Sequence, residues 1–294
     1  ILASLARLSG QASIAPAGGN VENREEARVT KQTGWDRLVE QIIDLFSAAR
    51  AGFVSDFDGT LSPIVPHPDE ARPLPTIVET LAQLVRHLTV VAIVTGRRAE
   101  DVARRLPVPG IVIVGNHGVE WLEHGQLRIV PEAQPWIPRI AAAAQILRSR
   151  LPDLLVEEKV VTVTVHTRGV DSRELRALAQ AVVEQVAREH RLVVKPGKEV
   201  WELRPPVPLD KGTAVATLVA AYQLQAVVFA GDDVTDLDAM RRLRTMREEG
   251  RVRSLLIGVW STEAPAELAQ EADKLVAGVD ALDQLLTQVA DRLR

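Results

Sequence analysis

The stretch "AGFVSDFDGT" (residues 51–60) joins an apolar run to two carboxylates, Asp56 and Asp58, and then to a Gly-Thr turn. The apolar run is typical of a buried β-strand, and the Asp-Gly pair is a common strand stop. Residues i and i+2 of a strand point to the same side of a sheet, so both carboxylates can face one reacting centre if the chain opens at Gly59. The stretch therefore predicts a buried strand that ends in a polar site.

Composition limits the class of protein. The 294 residues are 46% hydrophobic, enough to bury one large core or two ordinary ones. The formal charge is −4, and the sequence contains no long block of residues of like charge. We therefore expect a small-molecule partner and neither nucleic acid nor a membrane. Without cysteine, the chain has no disulfide, thiolate ligand or cysteine nucleophile. No apolar run reaches the ~20 residues of a membrane span or resembles an export signal, so the expected location is the cytoplasm.

Two patterns of elements alternate along the chain. Short apolar strands such as "LTVVAIVTG" and "LQAVVFAGDD" are separated by helical stretches, which predicts a Rossmann-like, doubly wound parallel α/β sheet. The middle of the chain instead has paired strands around one long helix, which predicts a smaller inserted α/β cap domain with a ligand cleft beside it. We expect a flexible N-terminal arm over 1–33, a core over 34–119 and 207–294, and the cap over 120–206.

Polar residues follow four of the predicted core strands, and ligands of open parallel sheets bind at these strand ends. The residues are Asp56 with Asp58, Thr95 in "VTGRR", Asn116 with His117 in "GNHG", and the acidic "GDDVTD" at 231–236. Lys211 begins the helix that precedes the last of these strands. Clustered carboxylates suit Mg²⁺, and a carboxylate nucleophile beside a lysine and a hydroxyl suits phosphoryl transfer.

Each of these motifs also has a purely structural interpretation. "GDDVTD" could cap a helix, Thr95 could cap the predicted helix 98–106, and Lys211 could be a solvated residue of a first helical turn. His117 could be a hydrogen-bonding hinge residue. Three further candidates could be surface charges: Glu120, Lys198 and Glu202.

Taken in order, "DFDGTL", "VTGR", "DKG" and "GDDVTD" resemble the four motifs of the haloacid dehalogenase-like superfamily of aspartate-nucleophile phosphatases. The resemblance covers about residues 54–260. It implies that Asp56 is the nucleophile, Asp58 the general acid and base, and Thr95 and Lys211 phosphate ligands. It also implies a Mg²⁺ site made by Asp56, the backbone carbonyl of Asp58, Asp232, and Asp233 or Asp236 in the outer shell.

A narrower resemblance involves the predicted cap. "GNHGVEW", "KPGKEVWELRPPVPLDKG" and "GDDVTDLDAM" are similar to the trehalose-6-phosphate phosphatases, a branch whose α/β cap lies between the second and third motifs. This implies sugar-hydroxyl contacts from Glu120, Lys198 and Glu202, with Arg128, Arg168 and Arg204 as further candidates. Gly96, Arg97, Asn116 and His117 are further candidates for substrate binding. The chain departs from the branch at Leu237 and Val200, where acidic residues are common.

The resemblance implies a Mg²⁺-dependent phosphatase that converts trehalose 6-phosphate to trehalose and phosphate through a phosphoaspartate. We expect a monomer, and a trehalose-phosphate synthase is a candidate partner. The alternatives are a phosphatase for sucrose 6-phosphate or for a mannosyl- or glucosyl-3-phosphoglycerate, a phosphomutase, or a non-catalytic sugar-phosphate sensor. A sensor has no need of a nucleophile and an acid together.

Overall fold

The computed structural model describes residues 21–197 and 199–294, with the backbone alone for residues 21–33 and for position 68. Residues 1–20 and Lys198 lie outside the described residues. Within the described ranges, no helix combines the length and the apolar composition needed to cross a bilayer.

The described residues form twelve strands. In chain order they are β1 (Ala51–Ser55), β2 (Val90–Val94), β3 (Val112–Gly115), β4 (Glu120–Glu123), β5 (Gln126–Ile129), β6 (Leu155–Glu158), β7 (Val163–His166), β8 (Val193–Gly197), β9 (Val200–Arg204), β10 (Ala226–Gly231), β11 (Arg253–Trp260) and β12 (Lys274–Ala277).

Nine α-helices occur in the same part of the chain. They are α1 (Val21–Phe46), α2 (Pro75–His87), α3 (Ala99–Arg105), α4 (Ile137–Arg150), α5 (Arg173–His190), α6 (Lys211–Ala221), α7 (Val234–Glu248), α8 (Leu268–Glu271) and α9 (Gly278–Arg292).

Eight strands form the core sheet in the order β12-β11-β10-β1-β2-β3-β4-β5. The first six in this order are mutually parallel, and β4 and β5 continue the sheet in antiparallel pairing. Every residue of β1, β2 and β10 is buried, as expected for strands covered on both faces. β1 lies between β10 and β2, so the residues after β1 are at the centre of the carboxyl edge.

Helices cover both faces of the core sheet. On one face, α1, α2, α3 and α9 pack on side chains such as Phe53 and Ile93. On the other, α6, α7 and α8 pack on side chains such as Phe229 and Leu256. The alternation predicted from sequence thus gives the doubly wound arrangement, with separate apolar cores above and below the sheet.

A second, four-stranded sheet has the order β6-β7-β9-β8, with every neighbouring pair antiparallel. Helices α4 and α5 pack against it and complete a third apolar cluster around Ile140, Val165 and Val183. This sheet comes between β5 and α6 in the chain.

The structure corrects details of the sequence interpretation. The segment 120–129, predicted to belong to the cap, forms β4 and β5 of the core sheet, because Leu122 packs on one face of that sheet and Trp121 on the other. The chain leaves the core sheet after Ile129, at the end of β5. Helix α4 was not predicted, and α1 begins at Val21, inside the segment assigned to the arm.

Candidate active site

The turn after β1 brings the first two carboxylates to the carboxyl edge of the core sheet. Asp56 continues the pairing of β1, donating its backbone N–H to the carbonyl of Ala230 at 2.9 Å. Gly59 has a φ of 82°, and a Cβ there would lie 2.1 Å from Asp232 Oδ2. A glycine is therefore required for the turn to reach the acidic loop after β10.

Lys211 joins two of the aspartates. Its Nζ donates to Asp56 Oδ1 at 2.7 Å and to Asp236 Oδ1 at 2.8 Å, and all three side chains are buried. The lysine is the first residue of α6, whose N-cap Asp210 makes a capping box with Thr213. The N-terminus of α6 therefore fixes the direction from which the lysine enters the site.

The acidic loop after β10 places the carboxylates of Asp232 and Asp236 beside that of Asp56. Thr60 Oγ1 donates to Asp232 Oδ1 at 2.9 Å, while Asp236 Oδ2 accepts from the backbone N–H groups of Asp232 and Asp233 at 3.0 Å each. Asp56, Asp232 and Asp236 each offer one oxygen, and the three oxygens lie within 4.8 Å of one another. Three buried hard oxygens at this spacing fit a divalent cation such as Mg²⁺.

Burial and mutual repulsion dominate the charges of this cluster. Burial raises the pKa of Asp56 well above its usual value, with Lys211 opposing the rise and the other carboxylates adding to it. Burial and the charge of Asp236 raise the pKa of Asp232 to about 8, and burial raises that of Asp236 to about 6 against the opposing effect of Lys211. Burial works to lower the pKa of Lys211, but Asp236 and Asp56 raise it well above its usual value, so the lysine stays charged.

Asp233 has the structural role that the sequence left open. Its side chain caps α7 by accepting from the backbone N–H groups of Thr235 and Asp236. Burial opposes ionisation of Asp233, but Lys211 and the bonds from Thr235 lower its pKa. The prediction that it completes the metal's outer shell stays a prediction.

Asp58 is held by Arg97. The Nε and Nη2 atoms of Arg97 donate to Asp58 Oδ2 and Oδ1 at 2.6 and 2.8 Å, and its Nη1 donates to Asp101 at 3.0 Å. The side chain of Asp58 is 39% exposed, unlike that of Asp56. Asp56 is thus buried and bonded to Lys211. Asp58 is oriented by two hydrogen bonds from the Arg97 guanidinium and is partly open to solvent.

The loop after β2 contributes Thr95 and Gly96. Thr95 is buried, and its Oγ1 accepts from the backbone N–H of Arg97 at 3.2 Å. A Cβ on Gly96 would lie 2.6 Å from Nε2 of His117, so the histidine ring packs directly on this loop. Thr95 does not cap α3, because the N-cap is Arg98 and the N–H that Thr95 Oγ1 accepts is that of Arg97, which precedes the helix.

The turn after β3 connects the core with the smaller sheet. Asn116 and His117 both have left-handed backbones, with φ of 46° and 54°. Asn116 Nδ2 donates to the carbonyl of Lys159 in the β6–β7 turn at 3.1 Å, and His117 Nε2 is 4.0 Å from Glu202 Oε2. Burial, aided by nearby cations, lowers the pKa of His117 well below its usual value, so the imidazole is neutral.

The predicted sugar-contact residues Glu202, Arg204 and Glu120 lie on two strands, β9 and β4. Glu202 is buried on β9, where it accepts hydrogen bonds from Arg204. Its carboxylate lies opposite His117. Glu120 is 1% exposed and accepts from the backbone N–H of Ala99, so it has no open face for a sugar in this structure. Lys198 lies outside the described residues.

The other two predicted arginines, Arg128 and Arg168, bond to different partners. Arg128 is on β5, four strands from β1 and hence roughly 19 Å from it at the usual strand spacing. Its Nη2 donates to Glu123, so the structure does not bring it to the aspartates. Arg168 donates to Glu199 and, at 3.4 Å, to the carbonyl of Pro66 in the loop that follows the β1 turn.

Sequence reasoning missed three side chains of the smaller sheet. Lys159 lies between Glu157 and Glu202, with its Nζ 3.8 and 4.0 Å from their carboxylates. His166 contacts Glu157 Oε2 at 3.1 Å. The alternation in "VEEKVVTVTVH" places 157 and 159 on one side, but only the pairing of β6 with β7 brings His166 beside them.

Comparison with known proteins gives the family. A family model described as trehalose-phosphatase matches residues 54–271. The trehalose-phosphate phosphatase of Mycobacterium leprae (strain TN) is 37% identical over 69% of this chain and 50% of that protein, so the chain spans about half the length of this relative.

Solved structures agree on the fold. A trehalose-6-phosphate phosphatase related protein superposes with a TM-score of 0.70 at 24% identity, covering 82% of this chain and 97% of that one. A haloacid dehalogenase-like hydrolase from Bacteroides thetaiotaomicron has a TM-score of 0.58 at 13% identity, over 83% of this chain and 100% of that one. The haloacid dehalogenase-like α/β fold predicted from sequence is confirmed, and the chain belongs to the trehalose-phosphatase family.

Proposed function

We propose that this chain is a Mg²⁺-dependent phosphatase that hydrolyses trehalose 6-phosphate to trehalose and phosphate. The observation that carries the proposal is the position of Asp56, buried at the central strand end between Lys211 and an acidic pair, with the more exposed Asp58 two residues away. Family membership supports the substrate, because the named relative is a trehalose-phosphate phosphatase.

Asp56, Asp232 and Asp236 would hold the metal, and Asp58 would contribute its backbone carbonyl. The fit rests on the donor set, because Lys211 is bonded to only two of the three buried carboxylates, Asp56 and Asp236, and the three repel one another without a further positive charge. When bound, Mg²⁺ would neutralise phosphoryl oxygens and favour the ionised form of its ligands.

Asp56 would attack phosphorus through Oδ2, because Oδ1 is bonded to Lys211. Its attack forms an acyl phosphate as the bond to the sugar oxygen breaks. Asp58 protonates that oxygen and then deprotonates the water that hydrolyses the acyl phosphate. Arg97 would give up one of its two hydrogen bonds to Asp58 whenever this carboxyl carries the proton.

We infer that residues 130–206 act as the cap and recognise the sugar. Glu157, Lys159, His166, Glu202 and Arg204 form a connected polar group that faces the core turn. Carboxylates and cations in alternation suit the hydroxyls of a disaccharide, which both donate and accept. We also propose a cytoplasmic monomer whose substrate comes from a trehalose-phosphate synthase.

The substrate is tested by measuring phosphate release with Mg²⁺ from a panel of trehalose 6-phosphate, sucrose 6-phosphate, glucose 6-phosphate and glucosyl-3-phosphoglycerate. The proposal predicts the highest kcat/KM for trehalose 6-phosphate. Equal or faster release from another member would contradict the substrate but keep the reaction. A need for a bisphosphorylated activator would indicate a phosphomutase, and binding without release would indicate a sensor.

A further inference from the structure

The loop between β2 and α3, residues 95–98, is fixed by the backbone of neighbouring elements. Thr95 donates its N–H to Val114 at 2.9 Å and accepts from the N–H of His117 at 2.9 Å. The carbonyl of Arg97 accepts from the N–H of Asn116 at 2.8 Å. The left-handed turn at residues 116–117 therefore holds this loop from one side.

Glu120 holds the other end of the loop. Helix α3 begins at Ala99, and the side chain of its N-cap residue, Arg98, makes no capping hydrogen bond to the helix backbone. The N–H of Ala99 is instead satisfied by Oε2 of Glu120, the first residue of β4, at 2.8 Å. The backbone at Gly115 lies so close that a Cβ there would be 2.4 Å from Ala99 N, so the strand and the loop are in direct contact.

This contact is costly if it serves only to cap α3. Glu120 is 1% exposed, and its Oε1 is buried without a hydrogen-bond partner. A half-satisfied buried carboxylate costs free energy, whereas a Ser or Asp at position 98 would cap the helix locally. A local cap would not link the 95–98 loop to the core sheet, whereas Glu120 on β4 does so through its hydrogen bond with Ala99.

We propose that Glu120 is a positioning residue, whose carboxylate fixes the 95–98 loop so that Arg97 orients Asp58 and Thr95 faces the phosphoryl site. The link runs from Glu120 to Ala99, and through two peptide units to Arg97 and its paired bonds with Asp58. This role replaces the sugar contact expected from sequence, and it rests on the proposed phosphatase function.

The test compares Glu120→Gln, Glu120→Asp and Glu120→Ala by kcat and KM for trehalose 6-phosphate. Gln keeps an acceptor oxygen at the reach of Ala99 N, while Asp keeps the charge but withdraws the carboxylate by one methylene. Because small misplacements of reacting groups reduce turnover strongly, Asp and Ala should lower kcat by about 10- to 100-fold and leave KM within about 3-fold. The kcat of Glu120→Gln should stay within about 3-fold of the wild-type value, because its amide oxygen can still accept from the N–H of Ala99.

Glu123→Ala is the matched control, since Glu123 lies on the same strand but bonds to Tyr222 and Arg128. It should leave kcat unchanged. The proposal would be overturned by a rise in KM with kcat retained, which indicates a sugar contact. It would equally be overturned if Asp were active and Gln inactive, which indicates a need for charge.

Amide hydrogen exchange of residues 95–99 separates this inference from the proposed function, because it requires no turnover. Exchange should be faster in the Asp and Ala variants and unchanged in Gln. If the wild type releases no phosphate from any sugar phosphate, the phosphatase proposal fails, while the exchange data still test the contact. Unchanged exchange in every variant would overturn the positioning role.

Discussion

Lys211 shows how single residues set the charge of the site. A cation at the first position of a helix opposes the helix dipole, yet Lys211 is buried there. The two carboxylates within 2.8 Å of its Nζ compensate for this. The position therefore has an electrostatic reason that a solvated first-turn lysine would lack.

Lys211→Met should destabilise the protein and abolish phosphate release. Removing one partner of a buried ion pair leaves uncompensated charge and costs about 3 kcal/mol or more in the free energy of unfolding. The pKa values of Asp56, Asp232 and Asp236 are already raised by burial, so the loss should be larger at alkaline pH, where these carboxyls ionise, than at acid pH, where they take up protons. Urea unfolding at both pH values measures the difference.

Lys274→Met is the control, because Lys274 is an exposed residue of β12. It should change neither the unfolding free energy nor the rate. An equal loss for Lys211→Met at both pH values would contradict the account of the cluster.

At the scale of elements, the N-terminus of α6 should matter for activity as well as stability. Asp210→Ala removes the cap that accepts from the N–H of Thr213 at 2.7 Å. Cap removal costs about 1 kcal/mol of unfolding free energy. Because this first turn presents Lys211 to Asp56, kcat should fall together with stability, as measured by steady-state kinetics and urea unfolding.

Ser172→Ala is the matched control, because it removes the N-cap of a different helix, α5. Ser172 caps α5 by accepting from the N–H of Leu175 at 3.1 Å, in the smaller sheet's layer. It should cost a similar stability with kcat retained. Equal falls in kcat for the two variants would show that the cap of α6 has no special relation to the site.

The elements that the sequence predicted are those whose local composition determines their environment. The apolar strands β1, β2, β3, β10 and β11 could be predicted because burial on both faces excludes polar residues. The hairpin β4–β5 could not be assigned to a sheet, because "EWLE" and "QLRI" mix polar and apolar residues and their place depends on pairing with β3.

The candidate site likewise contains residues whose position could be predicted from the sequence and residues whose contacts could not. The position of the aspartates, Thr95 and Lys211 at one edge of the sheet could be predicted, because the aspartates and Thr95 follow strands and Lys211 begins a helix. For Glu120 the family resemblance implies a contact with a sugar hydroxyl. The sequence does not show that its carboxylate instead accepts from the backbone N–H of Ala99. Glu157, Lys159 and His166 were missed because their neighbours come from strand pairing and from contact with the core.

At the scale of the whole molecule, Mg²⁺ should stabilise the fold in a pH-dependent way. Burial and repulsion raise the pKa of Asp232 to about 8 and that of Asp236 to about 6, so the metal-free protein should lose stability as pH rises through this range. Mg²⁺ at about 100 times its Kd should add about 2.7 kcal/mol. The gain should be smaller at about pH 5.5 than at about pH 8, because protons compete for the ligands.

Urea unfolding with Mg²⁺, with EDTA and with NaCl of equal ionic strength measures this gain. Asp232→Asn serves as the control and should remove most of it. A gain that is independent of pH, or one that persists in Asp232→Asn, would show that the ion binds elsewhere.

The most direct test of the central claim is the formation of phosphate and trehalose from trehalose 6-phosphate by the wild type and by Asp56→Asn. The substitution keeps the shape of the side chain but removes the attacking carboxylate. The account predicts equal amounts of the two products from the wild type and none above background from a folded Asp56→Asn. Turnover by Asp56→Asn at a rate near that of the wild type would contradict the account.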